Sequence, residues 1–161
     1  MTLVVGPGRA RTSVRGRKWG VMQPIEILAI EDSSTDLFGL KIVLNEIGIT
    51  HRLSVAVNGQ QAVDFLLKRG EYSAAPTPDL IFLDVHMPML TGLEVLRQVP
   101  NAHKLPVCVL TGSNAERELF RKEFGIGSSN YLTKPLNRES LLACLRGHRH
   151  LQALAEALAA A

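Results

Sequence analysis

Residues 79–88 read Asp-Leu-Ile-Phe-Leu-Asp-Val-His-Met-Pro, DLIFLDVHMP. An unbroken apolar run, Leu80 to Leu83, lies between Asp79 and Asp84, and Pro88 follows. A run this short, without polar alternation, fits a strand buried on both faces, as in a parallel sheet. Asp84 then stands where that strand leaves the sheet. In open α/β sheets ligands bind outside the carboxyl ends of the strands, so a carboxylate there is either a cap for the next element or a reactive group.

Outward from this stretch the chain alternates strand and helix five times. IEILAI (25–30) is an apolar strand, and STDLFGLKIVLNEIG is a helix capped at Ser34 or Thr35, apolar at Leu37, Leu40, Ile42, Leu44 and Ile47 and stopped by Gly48. HRLSVAV (51–57) is a second strand; Asn58 caps a helix whose buried stripe is Ala62, Val63, Leu66 and Leu67. After the strand ending at Asp84 comes a helix around Leu93 to Val99, then the strand LPVCVLT (105–111) and the capped helix NAERELFRKEFG. SNYLT (129–133) is a short fifth strand, and Asn137 opens a last helix. Strands separated by helices of this length imply right-handed crossovers and a parallel sheet covered on both faces.

Composition narrows the class. The chain has 161 residues, long enough for one full core and too short for two ordinary domains. No apolar run approaches the roughly 20 residues that span a bilayer, so we expect no membrane partner and a cytoplasmic location. Cys108 and Cys144 have neither disulfide-framework nor metal spacing, which predicts two buried free thiols. Residues 1–21 carry Arg9, Arg11, Arg15, Arg17 and Lys18 with no acid. Taking those five from the 18 Lys and Arg leaves 13 bases against 15 acids, so the remainder is mildly acidic although the whole chain is +3. Without interleaved aromatics, and broken by glycines, the basic arm reads as a disordered leader outside the functional domain, not as a nucleic-acid binder.

The strand ends carry the chemistry. The first ends in Glu31-Asp32, the third in Asp84, the fourth in Thr111 and the fifth in Thr133-Lys134-Pro135. In a doubly wound sheet of order 2-1-3-4-5 the first and third strands are neighbours at the switch point, which would crowd Glu31, Asp32 and Asp84 into one pocket. Three carboxylates that close need a cation or a shared proton. Mg²⁺ suits a small oxygen cluster that keeps waters for phosphate oxygens. Lys134 adds a point charge and Thr111 a hydroxyl donor. A cation, a lysine and a hydroxyl around one free carboxylate make a site for phosphoryl transfer onto that carboxylate.

The set Glu31-Asp32, Asp84 in FLDVHMP, Thr111 in VLTGS and Lys134 in YLTKP resembles the receiver domain of two-component response regulators, over about residues 25–148. The resemblance implies a flavodoxin-like doubly wound fold: a five-stranded parallel sheet of order 2-1-3-4-5 with helices on both faces. By that resemblance Asp84 is the phosphoacceptor, with Glu31, Asp32 and Asp84 as Mg²⁺-binding groups. His86 offers its backbone carbonyl to the metal. Thr111 and Lys134 bind the phosphoryl oxygens, and Tyr131 joins Thr111 as the switch aromatic. The Lys134-Pro135 bond is expected to be cis. The phosphodonor would be a sensor histidine kinase or a histidine-phosphotransfer protein, and the protein would act as a signalling partner, not an enzyme. The proline-rich connection KRGEYSAAPTPDL looks like that of single-domain regulators that partner phytochrome-type kinases, such as a bacteriophytochrome.

The domain plan expected is a leader at 1–21, a receiver at 22–148 and a helical tail at 149–161. The tail, RHLQALAEALAAA from 149, cannot hold a DNA-binding motif, so no DNA partner is expected. Leu151, Leu154 and Leu158 suggest that the last helix continues past Gly147 with an apolar stripe, and with Phe120 and Phe124 this predicts a homodimer through the fourth and fifth helices and fifth strand. His51, His103, His148 and His150 read as solvated. A Mg²⁺-dependent phosphatase of the haloacid-dehalogenase type is the alternative, but it needs an acid two residues past the nucleophile, where this chain has His86.

Overall fold

The computed structural model describes residues 3–5 and 23–161. Its strands are β1 (Leu3–Val5), β2 (Ile25–Ile30), β3 (His51–Ala56), β4 (Leu80–Asp84), β5 (Val107–Leu110) and β6 (Tyr131–Leu132), in one sheet of order β1-β3-β2-β4-β5-β6. The strands β2 to β6 are parallel, and counted among themselves they run 2-1-3-4-5, as expected. The helices are α1 (Ser34–Glu46), α2 (Gly59–Leu66), α3 (Gly92–Gln98), α4 (Asn114–Phe124), α5 (Arg138–Gly147) and α6 (Gln152–Ala159).

The unbroken apolar run of β4 is explained by two cores, one on each face. Side chains alternate along a strand, so Leu80 and Phe82 enter a cluster with residues of α1, α5 and α6, while Ile81 and Leu83 enter one with residues of α2, α3 and α4. Every residue of β4 is buried. Most helices begin on the side-chain caps their sequences offer: Asn58, Thr91, Ser113 and Asn137 each accept from a backbone N–H of the first turn. The first helix is capped one residue earlier than expected, by Ser33, whose hydroxyl accepts from Asp36 N–H. Gly125 closes α4 in the left-handed region at φ 67°.

Several expectations are corrected. Helix α5 stops at Gly147; after a short 3-10 turn at Arg149–Leu151 the chain folds back as α6. An added Cβ at Gly147 would displace the ends of the Ser129 and Asn130 side chains. Leu151, Leu154 and Leu158 are therefore not a free stripe: they are buried in the same core as Leu141, Leu142 and Leu145, and Arg138 donates to the Leu158 carbonyl at 2.8 Å. Phe120 is buried too, since α4 turns that face to the sheet. Cys108 and Cys144 are paired as a disulfide, with Cα atoms 6.5 Å apart, because β5 runs directly under α5. His51 and His148 are buried rather than solvated, and His150 is partly so.

The basic leader lies outside the described residues except Leu3–Val5. Those three form a short strand antiparallel to β3, where a disordered leader would leave that edge open. Among the described residues no helix is long and apolar enough to cross a membrane.

Candidate functional site

The site is assembled at the carboxyl ends of the parallel strands. Strand β2 continues its pairing one residue further, Glu31 N–H donating to the Ala56 carbonyl at 3.0 Å, and Ser33 N–H then returns to Glu31 Oε1 at 2.9 Å. Next to it, Asp84 is the last residue of β4 and pairs in register with Leu110. The chain turns back at once, with Gly92 N–H on the Val85 carbonyl at 2.9 Å. Position 92 must be glycine, because an added Cβ would come 2.6 Å from the Asp84 carbonyl. Past β5, Thr111 N–H donates to the Leu132 carbonyl at 2.8 Å, which ties the fourth and fifth parallel strand ends together. Lys134 follows β6 across a cis peptide to Pro135.

The carboxylate oxygens of Glu31, Asp32 and Asp84 lie within 4.8 Å of one another. Glu31 and Asp84 are buried and Asp32 is exposed. Lys134 Nζ reaches into the group, 2.7 Å from Glu31 Oε2, 2.8 Å from Asp36 Oδ2 and 3.5 Å from Asp84 Oδ1. Burial raises the Glu31 pKa, with the Asp84 charge adding to the effect, although Lys134 and the Ser33 N–H oppose it. Burial alone would lower the Lys134 pKa, but Asp36, Glu31 and Asp84 outweigh it and hold the ammonium charged. The hydrogen bond from Lys134 lowers the Asp36 pKa.

The remaining expected residues fall on one side of this cluster. The Thr111 hydroxyl, expected as a donor toward Asp84, donates instead to Glu116 in the first turn of α4. His86 Nε2 lies 2.9 Å from the other Glu116 oxygen, so its largely exposed ring leans toward α4. Tyr131 is half-buried; its hydroxyl donates to the Ile126 carbonyl at 3.1 Å, and the Arg117 guanidinium lies 5.9 Å from its ring centroid. Arg117 also donates to the Thr111 carbonyl at 3.1 Å and to Thr133 Oγ1 at 3.0 Å.

Asp36, Glu116 and Arg117 escaped the sequence reading. Asp36 and Glu116 look like ordinary first-turn acids that favour a helix N-terminus. A signal was present nonetheless, because both begin helices that start at a strand end carrying a site residue.

The donor set suits a hard divalent cation. All its donors are oxygens, and the buried Glu31 Oε2 has the Lys134 ammonium 2.7 Å away as its charge partner. A cation would offset the burial that raises the Glu31 pKa and the Asp84 charge that adds to it.

Comparison with known proteins bears on this arrangement. A family model described as response regulator receiver domain matches residues 27–146. Response regulator Rcp1 of Synechocystis sp. is 35% identical over 127 residues, covering 77% of this chain and 86% of that protein. Among solved structures, the bacteriophytochrome response regulator AtBRR superposes with TM-score 0.68 at 28% identity, covering 79% of this chain and 94% of that one. The Mn²⁺-bound form of Rcp1 superposes with TM-score 0.62 at 34% identity, covering 80% and 96%.

Proposed function

The chain belongs to the response regulator receiver family, and from that premise we propose that it accepts a phosphoryl group on Asp84 from a sensor histidine kinase or a histidine-phosphotransfer protein and signals by protein contact. One observation carries the reading: three carboxylates and Lys134 converge where β2, β4 and β6 end. In the proposed step an Asp84 carboxylate oxygen attacks the phosphorus of a phosphohistidine. The P–N bond breaks, its electron pair stays on the imidazole nitrogen, and the ring leaves neutral because its other nitrogen carries a proton.

Glu31, Asp32 and Asp84, with the His86 carbonyl, would hold Mg²⁺, which when bound neutralises charge between the carboxylates and the incoming phosphoryl oxygens. That Rcp1 has a Mn²⁺-bound form supports a divalent ion in this position. Lys134 orients the Asp84 carboxylate and offers its ammonium to a phosphoryl oxygen.

The donor is proposed to be a phytochrome-type kinase in the cytoplasm, by analogy with AtBRR. Beside Lys134, Phe38 of α1 is 64% exposed and lines a cavity of about 300 Å³ with Leu136, an apolar contact surface next to the reacting group. Read-out is proposed at the face of α4, β6 and α5, where Leu119 is 46% exposed and a second copy of the chain is the expected occupant. Sedimentation of the phosphorylated and unphosphorylated protein tests that homodimer. The phosphatase alternative gains nothing, for His86 stands where its acid is needed and its ring is held by Glu116. Incubation with phosphoramidate and Mg²⁺, read by intact mass, tests the reading itself. Wild type should gain one phosphoryl group and Asp84→Asn none; equal labelling of both would overturn it.

A further inference from the structure

We propose that Glu116 is a positioning residue that holds the site in its unphosphorylated arrangement, by keeping the Thr111 hydroxyl proton and the His86 ring on its own two oxygens. The inference rests on Asp84 as phosphoacceptor and goes further, since it names the group that opposes phosphorylation.

A threonine has one hydroxyl proton to give. Here it goes to Glu116, while the Thr111 oxygen accepts from Ser113 N–H at 3.0 Å. A phosphoryl group on Asp84 can take that proton only if the hydroxyl leaves Glu116. His86 Nε2 occupies the second Glu116 oxygen at 2.9 Å, so one carboxylate joins the loop after β4 to the start of α4 across the side of the site. Glu116 is itself well fixed, its N–H on the Ser113 hydroxyl at 3.3 Å in the α4 cap.

A hydrogen bond to a charged group contributes enough that breaking one shifts an equilibrium by about tenfold or more. Removing Glu116 should therefore favour the phosphorylated arrangement by about that factor. The cost appears only through Thr111, and this separates a latch from a general change in charge.

The test is a double-mutant cycle. Beryllofluoride with Mg²⁺ is titrated calorimetrically into wild type, Glu116→Ala, Glu116→Gln, Thr111→Val and the double variants. Glu116→Ala should bind about tenfold tighter and Glu116→Gln should lie between, and the gain should vanish in the Thr111→Val background. A second cycle needs no metal: in urea unfolding without divalent ions, the Glu116→Gln and Thr111→Val effects on the folding constant should be non-additive by about tenfold. Unchanged beryllofluoride affinity in Glu116→Ala and Glu116→Gln, a gain that persists without the Thr111 hydroxyl, or additive unfolding effects would each overturn the latch. The phosphoacceptor reading fails separately, if wild type takes no label from phosphoramidate while the metal-free cycle still shows coupling.

Discussion

Among the described residues two clusters offer three potential metal ligands each, and they behave as opposites. Glu31, Asp32 and Asp84 gather at the ends of β2 and β4; Cys108, Cys144 and His148 gather between β5 and the end of α5, and both sets keep their donor atoms within 4.8 Å. The first sets three carboxylates against the Lys134 ammonium and is partly open to solvent at Asp32. The second is closed and neutral: the sulfurs pair with each other, His148 Nε2 lies 3.6 Å from Cys108 Sγ, and burial, helped by His150, lowers the His148 pKa to about 4. Ligand-type residues in proximity thus make a candidate site only where the fold leaves their demands unmet. The sulfur cluster satisfies itself and belongs to the core.

The largest expected effect separates the two clusters by activity. Asp84→Asn should abolish phosphoryl uptake, whereas Cys144→Ala, which lies in the closed cluster, should leave uptake by phosphoramidate intact at a temperature where the variant is folded. Loss in both would dissolve the contrast. Next comes metal affinity. Asp32→Asn should weaken Mg²⁺ binding roughly tenfold or more, as expected for loss of one charged oxygen ligand from a small set; an unchanged calorimetric affinity would remove Asp32 from that set.

Stability tests the closed cluster. A disulfide closing a loop of 36 residues is expected to contribute about 3–4 kcal/mol, so a strong reductant should move the urea midpoint down accordingly. No movement would mean that the thiols are free, as the sequence alone suggested. His148 supplies a pH signature. Its folded pKa, about 4, is below the unfolded value near 6.5, so the unfolded chain binds the extra proton in that interval. Stability should fall as pH drops from about 6.5 to about 4, and His148→Gln should flatten that part of the profile.

The smallest effect returns to the open cluster with the opposite sign. Glu31 has a folded pKa above 4.5, so its ionisation costs stability as pH rises through that value. Without metal, Glu31→Gln should be slightly more stable than wild type at pH 7, and the advantage should shrink to nothing below about pH 4.5. A variant less stable at every pH would show that the Lys134 pairing outweighs the burial cost.

Much of this was legible before any coordinates. The alternation of IEILAI, HRLSVAV and LIFLD with capped helices dictates a parallel sheet, because a strand without polar alternation must be covered on both faces. Polar residues that follow such strands can only emerge on one rim, so Glu31, Asp32, Asp84, Thr111 and Lys134 fall together once the strand order is known. The amide caps at Asn58 and Asn137 are likewise local, since each bonds within three residues.

What the sequence could not decide involves contacts whose partners are distant along the chain or equally available elsewhere. An apolar stripe such as Leu151, Leu154 and Leu158 records that a surface must be covered, not whether the cover is another molecule or the chain's own α5. Only the turn at His148 and the 3-10 turn after it settle that α6 folds back. The cysteine pairing spans 36 residues and has no local signature, so it exists only because β5 passes beneath α5. Glu116 reads as a helix-start acid until Thr111 and His86, from two different loops, are seen to share its oxygens. Periodicity and capping are properties of neighbours in sequence and so are written there; the satisfaction of a buried charge or hydroxyl depends on everything packed around it, and that is fixed only when the chain has closed on itself.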